Sequence, residues 1–239
     1  MVLNNDDQGI RINKYIASSG FCSRRNADEL VNDGRVKIDG VVAVSGSRVL
    51  QGQVVTVDDK PVIPNDDHVY IALHKPLGIT CTTDKRDKDN IIDFLDYPER
   101  VFNIGRLDKN SSGLILLTND GDIVNKLLRA EHGHEKEYVV TLDRPYDNDF
   151  LKRMAEGVPV LDRITLPCKI TPRGPKTFNI ILTQGLNRQI RRMCEYLGYK
   201  VIKLKRIRFM NIKLGDMKPG EYRMLTPHEK QVLFSLIEK

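Results

Sequence analysis

From Ile10 to Gly34 the apolar positions recur at helical spacing, and from Val36 onward they alternate. Ile12, Tyr15 and Ile16 mark one face of a first short helix, which Gly20 stops. Ser23 has the chemistry of an N-cap for a second helix, in which Ala27, Leu30 and Val31 face inward. Asp33-Gly34 closes it, because glycine tolerates the left-handed conformation at a helix end. Val36 and Ile38 then lead into Asp39-Gly40, a favoured two-residue hairpin turn, followed by Val41-Val42. Val54–Val57 supplies another strand, and the stretch from Pro61 to Asp67, with Pro64 and a polar Asn65-Asp66-Asp67 run, reads as a linker.

The remainder mixes strands and helices without the regular spacing of a doubly wound sheet. Strands are expected at Val69–His74, Leu114–Thr118, Tyr138–Leu142, Thr165–Ile170, Phe178–Leu182, Val201–Leu204 and Glu221–Leu225. Helices are expected at Asp122–Arg129, Asp147–Ala155, Arg188–Leu197 and Pro227–Ile237. The last follows Thr226-Pro227-His228-Glu229, a capping box with proline at the first helical position. The pattern predicts an α+β fold with a mostly antiparallel sheet. Two domains are expected, residues 9–67 and residues 68–239.

Composition changes this picture little. The chain has 239 residues, and its 40% apolar and 29% charged content is that of an ordinary globular protein. No apolar run approaches the roughly 20 residues that span a bilayer, and the polar start lacks a secretory layout. No membrane association and a cytoplasmic location are therefore expected. The cysteines Cys22, Cys81, Cys168 and Cys194 are scattered, as in a reducing compartment, and form no metal-ligand pair. Cys81 lies in a polar stretch, which suggests exposure. No metal is expected.

Charge changes it more. Gln184–Lys213 holds nine basic residues against one acid, Glu195, so this segment carries +8. The whole chain carries +6, which leaves −2 for the rest. Such concentration is the footprint of a phosphate backbone, although a basic run is often only a solvated face. The first helix pair carries its own cations, Arg11, Lys14, Arg24 and Arg25, with Arg35 just beyond. Ser23 and the two arginines sit at a helix start, where backbone amides and guanidinium groups together suit a phosphate.

Arg11–Ile16, then Cys22-Ser23-Arg24-Arg25, then Gly34-Arg35-Val36 and Asp39-Gly40 closely resemble the S4 RNA-binding domain over roughly Gly9 to Val57. That resemblance implies a compact module that docks structured RNA through Arg11, Lys14, Ser23, Arg24, Arg25 and Arg35. It says nothing of chemistry.

Gly105-Arg106-Leu107-Asp108 precedes Lys109-Asn110-Ser111-Ser112-Gly113 and an apolar strand. On its own this is a turn with a surface ion pair. The whole stretch Val101–Leu114, continuing to Asp122, resembles the catalytic motif of the RsuA-like family of ribosomal RNA pseudouridine synthases. The resemblance implies that Asp108 is the catalytic carboxylate, that Arg106 positions the loop and the RNA, and that no metal or organic cofactor takes part. Asn103 departs from the pattern, since many relatives carry proline there.

The chemistry requires such a group. Uracil must leave C1′, turn over and rejoin through C5. A carboxylate can attack as a nucleophile, or take the C2′ proton so that a glycal forms, and both routes need it ionised. A carboxylate out of water needs a cation to stay so. Gln189-Ile190-Arg191 matches the family motif that supplies it, which implies Arg191 as the partner and Arg188 and Arg192 as RNA contacts. Lys136-Glu137-Tyr138 matches the motif whose tyrosine stacks on the target base and assists proton removal at C5. Lys75 of His74-Lys75-Pro76-Leu77-Gly78 is a candidate phosphate contact and His74 a weak catalytic candidate, while Pro76 and Gly78 are explained by turn chemistry.

Asp87–Phe94 and His134–Tyr138 look closest to subfamily F of the large-subunit enzymes. That implies a uridine in a structured stem-loop of 23S rRNA. Alternatives are 16S rRNA or tRNA as substrate, a non-catalytic S4-type binding or assembly protein, and another base-modifying enzyme such as a methyltransferase. The retained Asp108, Tyr138 and Arg191 speak against a binding protein, and the lack of a glycine-rich cofactor loop speaks against a methyltransferase. A monomer is expected, since no large apolar face is left unexplained.

Overall fold

The computed structural model describes residues 9–128 and 133–237. The chain divides into two compact units, residues 1–68 with 119–121, and residues 69–118 with 122–239.

In the first unit β1 (Ile10–Arg11) runs into α1 (Ile12–Ser18), and α2 (Arg24–Asn32) follows. The Ser23 hydroxyl accepts the Asn26 amide at 3.1 Å, so the expected cap is made. Ile12, Ile16, Ala27 and Val31 pack on Val36, Val55 and Val57 in one small core. Four short strands complete the unit as an antiparallel sheet: β2 (Val36–Ile38), β3 (Val41–Val42), β5 (Val55–Val57) and β6 (Lys60–Val62), ordered β3-β2-β5-β6. The intervening β4 (Arg48–Val49) pairs with β1 instead. Asp39 and Gly40 both take positive φ, as a type I′ hairpin turn demands. Pro61 is not in the linker. It sits in β6 at the sheet edge, where a missing N–H costs no ladder bond.

The second unit is built on a nine-stranded sheet. In chain order its elements begin with β7 (Tyr70–Lys75), α3 (Ile91–Leu95), β8 (Phe102–Ile104), β9 (Ser112–Thr118) and α4 (Gly121–Leu128). Then come β10 (Lys136–Leu142), α5 (Asn148–Glu156), β11 (Pro159–Val160), β12 (Arg163–Ile164), β13 (Lys169–Gly174) and β14 (Thr177–Leu182). The chain finishes with α6 (Gln189–Tyr196), β15 (Val201–Phe209), β16 (Ile212–Lys213), β17 (Tyr222–Met224) and α7 (Pro227–Ile237). The main path is β13-β14-β10-β15-β9-β7-β17, with β16 on β15 and β8 on β9. Only β15 and β9 pair parallel, through Lys205–Ser112 and Arg206–Gly113, so the sheet is mostly antiparallel as expected.

β7 and β9 explain their unbroken apolar runs. Tyr70, Ala72, Leu114 and Leu116 pack in one cluster, while Ile71, Leu73, Ile115 and Leu117 pack in another. Both faces of this strand pair are covered, so alternation gives way to continuous hydrophobicity. A third cluster joins Val140, Phe178 and Ile180 of the sheet to Phe150 and Met154 of α5 and to Ile190, Met193 and Cys194 of α6.

Several expectations are corrected. The strand expected at Thr165–Ile170 starts only at Lys169, because Thr165 is spent bonding Val158 through backbone and hydroxyl at 3.0 Å each. The strand from Val201 continues past Leu204 to Phe209. Cys81 is buried. Lys75 is wholly buried at the end of β7, and its ammonium donates to the carbonyls of Pro76 at 2.9 Å and Ile79 at 2.7 Å. It is therefore no phosphate contact. The polar leader and Arg129 lie outside the described residues. No helix among the described residues is long and apolar enough to cross a membrane.

Candidate active site

The loop from Gly105 to Ser111 joins β8 to β9 and carries Asp108. Contacts from several directions hold it. The Asn103 side-chain amide donates to the Gly105 carbonyl at 2.6 Å, so the residue that departs from the family pattern fixes the start of the loop. The Leu107 amide donates to Cys81 Sγ at 3.3 Å. The Gly78 amide donates to the Lys109 carbonyl at 2.9 Å, and the Ser111 amide closes a turn on the Asp108 carbonyl at 2.9 Å. At the far end Gly113 takes φ +110 against Arg206 of β15, and any side chain there would collide with the Arg206 backbone. Asp108 is thus presented on a braced loop, with its side chain 30% exposed.

Two guanidinium groups converge on one carboxylate oxygen. Arg188 Nη1 lies 3.6 Å and Arg191 Nε 3.7 Å from Asp108 Oδ2. These are charge contacts longer than a hydrogen bond, so they place positive charge beside the carboxylate without capping its lone pairs. Both arginines come from the start of α6. Arg188 is its N-cap residue, held in the left-handed region at φ 51, and its side chain makes no capping bond. A non-glycine residue there costs about 1–3 kcal/mol.

Arg191 is the more committed cation. Its side chain is only 13% exposed. Nη2 donates to the Asn110 carbonyl at 2.6 Å and to Ser111 Oγ at 3.2 Å, and Nη1 donates to the Val201 carbonyl at 3.1 Å. It therefore ties α6 to the loop while aiming Nε at Asp108, and that Nε has no hydrogen-bond partner. Burial, then the charge of Arg188, pushes this guanidinium down, and Asp108 pushes it back up.

Tyr138 lies on β10 beside a bulge between Glu137 and Tyr138 and is half-buried. It lines the same open cleft of about 760 Å³ as Asp108, Arg106, Arg188 and Leu186. That volume suits a nucleotide-sized ligand, since such sites run roughly 300–1,000 Å³. The structure thus brings Asp108, Tyr138, Arg106, Arg188 and Arg191 together.

Arg192 and His74 stand outside the cleft. Arg192 turns back on the loop before α6, donating to the Asn187 carbonyl at 3.1 Å and to its side chain at 3.3 Å. His74 is buried with Nδ1 2.7 Å from the Met217 carbonyl. Arg11, Lys14, Ser23, Arg24, Arg25 and Arg35 belong to the first unit, where Arg11, Arg24 and Arg25 are exposed. Arg35 is bound to Asp58 by two contacts of 2.8 and 2.5 Å.

Among the residues at the site that escaped the sequence reading, four shape it most. Cys81 and Asn103 brace the loop, while Lys136 and Arg206 line the cleft. The alternation of β10 was the available signal for Lys136, two positions before Tyr138 on the same strand. Burial raises the thiol of Cys194 to about 12 and that of Cys168 to about 11, so neither serves as a nucleophile.

Comparison with known proteins gives the same picture. The family model described as RNA pseudouridylate synthase matches residues 69–196, and the S4 domain model matches residues 10–62. The chain is 52% identical over 234 residues to the dual-specificity RNA pseudouridine synthase RluF of Salmonella typhi, covering 97% of this chain and 81% of that protein. It is 37% identical over 237 residues to ribosomal large subunit pseudouridine synthase B of Bacillus subtilis, covering 95% and 97%. A crystal structure described as a pseudouridylate synthase shares 31% identity at a TM-score of 0.69, covering 94% of this chain and 100% of that one.

Proposed function

The chain belongs to the RNA pseudouridylate synthase family, whose members isomerise uridine in RNA, and from that premise we propose that Asp108 is its essential carboxylate. The observation that carries this reading is the convergence of Arg188 and Arg191 on Asp108 Oδ2 in a cleft that also holds Tyr138. Among the described residues no side chain bonds Oδ1, which leaves that oxygen for the ribose.

The reaction breaks the N1–C1′ bond and forms C5–C1′. C5 loses a proton and N1 gains one, so atoms and electrons balance within the substrate and no cofactor has to be consumed. Asp108 either adds to C1′ or takes the C2′ proton, and in both cases it must enter the reaction ionised. Arg191 aligns it and sets a positive charge beside it. Arg188 shares that task and faces the RNA. Tyr138 stacks on the extruded base, an interaction worth about 1–3 kcal/mol, and assists loss of the C5 proton. Arg106 positions the loop and the strand.

In this reading residues 9–67 dock RNA through Arg11, Lys14, Ser23, Arg24 and Arg25, and residues 68–239 carry out the isomerisation. The substrate is a uridine in a stem-loop of 23S rRNA. Similarity to proteins named as dual-specificity RNA pseudouridine synthases favours a second RNA, for which tRNA is our candidate. The enzyme works as a monomer in the cytoplasm. Pseudouridine mapping of rRNA and tRNA from cells with and without the gene tests this directly. Loss of a 23S mark is expected, and an unchanged map of both RNAs would overturn the substrate assignment.

A further inference from the structure

Deeper in the same cleft are two cations that the isomerisation does not use. Lys136 and Arg206 both line it, on neighbouring strands β10 and β15. They flank one ring, that of Phe209, with Lys136 Nζ 5.8 Å and the Arg206 guanidinium carbon 5.7 Å from its centre. Arg206 is 3% exposed, its Nε donates to the Leu114 carbonyl at 2.6 Å, and its Nη2 is buried without a hydrogen-bond partner. Lys136 Nζ reaches a single carbonyl, that of His134, at 3.2 Å.

The acids beside Lys136 are already engaged elsewhere. Arg208 holds Glu135 at 2.9 Å and Glu137 at 3.0 Å. Among the described residues no carboxylate pairs with Lys136 or Arg206. Burial, followed by the charge of Arg206, holds the Lys136 ammonium below its ordinary value. Two like charges out of bulk water, one with an unmet N–H, form a site that an anion would complete.

We propose that Lys136 and Arg206 form an oxyanion subsite that takes a phosphodiester of the RNA strand carrying the target uridine. Two cations suit a charged phosphate better than a neutral uracil carbonyl, and both pack on the ring of Phe209. The subsite would anchor the strand beside the flipped nucleotide, so that backbone position as well as base stacking sets the approach to Asp108. This rests on the uridine-isomerase reading above.

The test uses the full chain and a stem-loop RNA carrying the mapped uridine, with single methylphosphonate linkages placed in turn around it. At one linkage, neutralising the phosphate should weaken binding to the wild type about tenfold. Lys136→Met should weaken binding of the unmodified RNA by a similar factor, and should lose little more at that linkage. Its plot of log affinity against log salt should flatten by about 0.7–0.9, the share of one phosphate contact, and Lys136→Arg should restore the slope. KM should rise more than kcat falls. Strictly additive losses at every linkage, or an unchanged salt slope, would overturn the subsite. If Lys136→Met folds poorly, the wild-type linkage series decides alone, and a series with no sensitive linkage overturns the proposal. Turnover by an Asp108→Ala protein would instead refute the catalytic reading and leave these binding results standing.

Discussion

The helix pair of the first unit and the segment Gln184–Lys213 of the second are both rich in arginine and lysine, yet the fold uses them in opposite ways. In the helix pair Arg24 and Arg25 stand exposed at the start of α2, on a turn capped by Ser23. In the second segment Arg191 is bonded to two carbonyls and a hydroxyl, Arg206 is buried against β9, and Arg208 is locked between Glu135 and Glu137. Part of the charge that looked like an RNA footprint is therefore engaged within the fold, at Arg191 and Arg208 above all. A run of cations along a chain says how much charge there is, and the fold decides whether it meets solvent, substrate or another side chain.

Substitutions can break that contrast or sharpen it. Among these cations the largest effect is expected at Arg191. Arg191→Ala removes the charge beside Asp108 and leaves the Asn110 and Val201 carbonyls without their donor. Turnover should fall by about 10²–10⁴-fold, with stability lower by roughly 1–3 kcal/mol. Arg191→Lys should recover stability better than activity, since an ammonium cannot hold three acceptors in one plane. Kinetics beside thermal unfolding would separate the two, and full activity in Arg191→Ala would break the assignment.

Arg208→Ala should act on the fold. Burial lowers this guanidinium, and bonds to Glu137 and Glu135 outweigh that and raise it. Its loss should cost about 1–3 kcal/mol in denaturant unfolding while the salt dependence of RNA binding stays unchanged. The double substitution Arg24→Ala, Arg25→Ala should do the reverse. It should leave stability within about 0.5 kcal/mol, as surface changes do. The salt slope should flatten by roughly 1.4–1.8 for two lost phosphate contacts. An unchanged slope there would remove the helix pair from the RNA interface.

The smallest effect is one of pH. Burial holds the His74 imidazole below its ordinary 6.5, with the Met217 carbonyl bond acting the other way. The unfolded chain then binds the proton more readily than the folded one. The stability this neutral ring supports is present above about pH 6.5 and is lost as pH falls below it. His74→Gln should blunt that decline in unfolding measured between pH 7 and 5.

Periodicity made the helix pair, the Asp39-Gly40 turn and the paired β7 and β9 legible, since each depends on local spacing. So did the capping box: the Thr226 amide donates to Glu229 at 2.9 Å and the Glu229 amide to the Thr226 hydroxyl at 3.2 Å. The short α3 and β8 were not legible, because so few residues show no period. Nor was the burial of Lys75, whose ammonium is satisfied by carbonyls one and four residues ahead of it. β15 ran longer than expected because Lys203, Lys205, Arg206 and Arg208 break its apolar run, although Arg206 turns inward. The resemblance in Gly105–Asp108 pointed to the carboxylate. The structure adds the bracing by Asn103, Cys81 and Arg191 that no local pattern encodes.

In the proposed mechanism one braced carboxylate, Asp108, performs the isomerisation. Single-turnover conversion of a bound stem-loop RNA by Asp108→Ala and Asp108→Asn, measured beside their RNA affinity, tests it most directly. Affinity should stay within about threefold, since Asp108 contributes no phosphate contact. Pseudouridine formation should fall by at least about 10⁴-fold, to the limit of detection. Clear turnover by the purified Asp108→Ala protein would contradict the account.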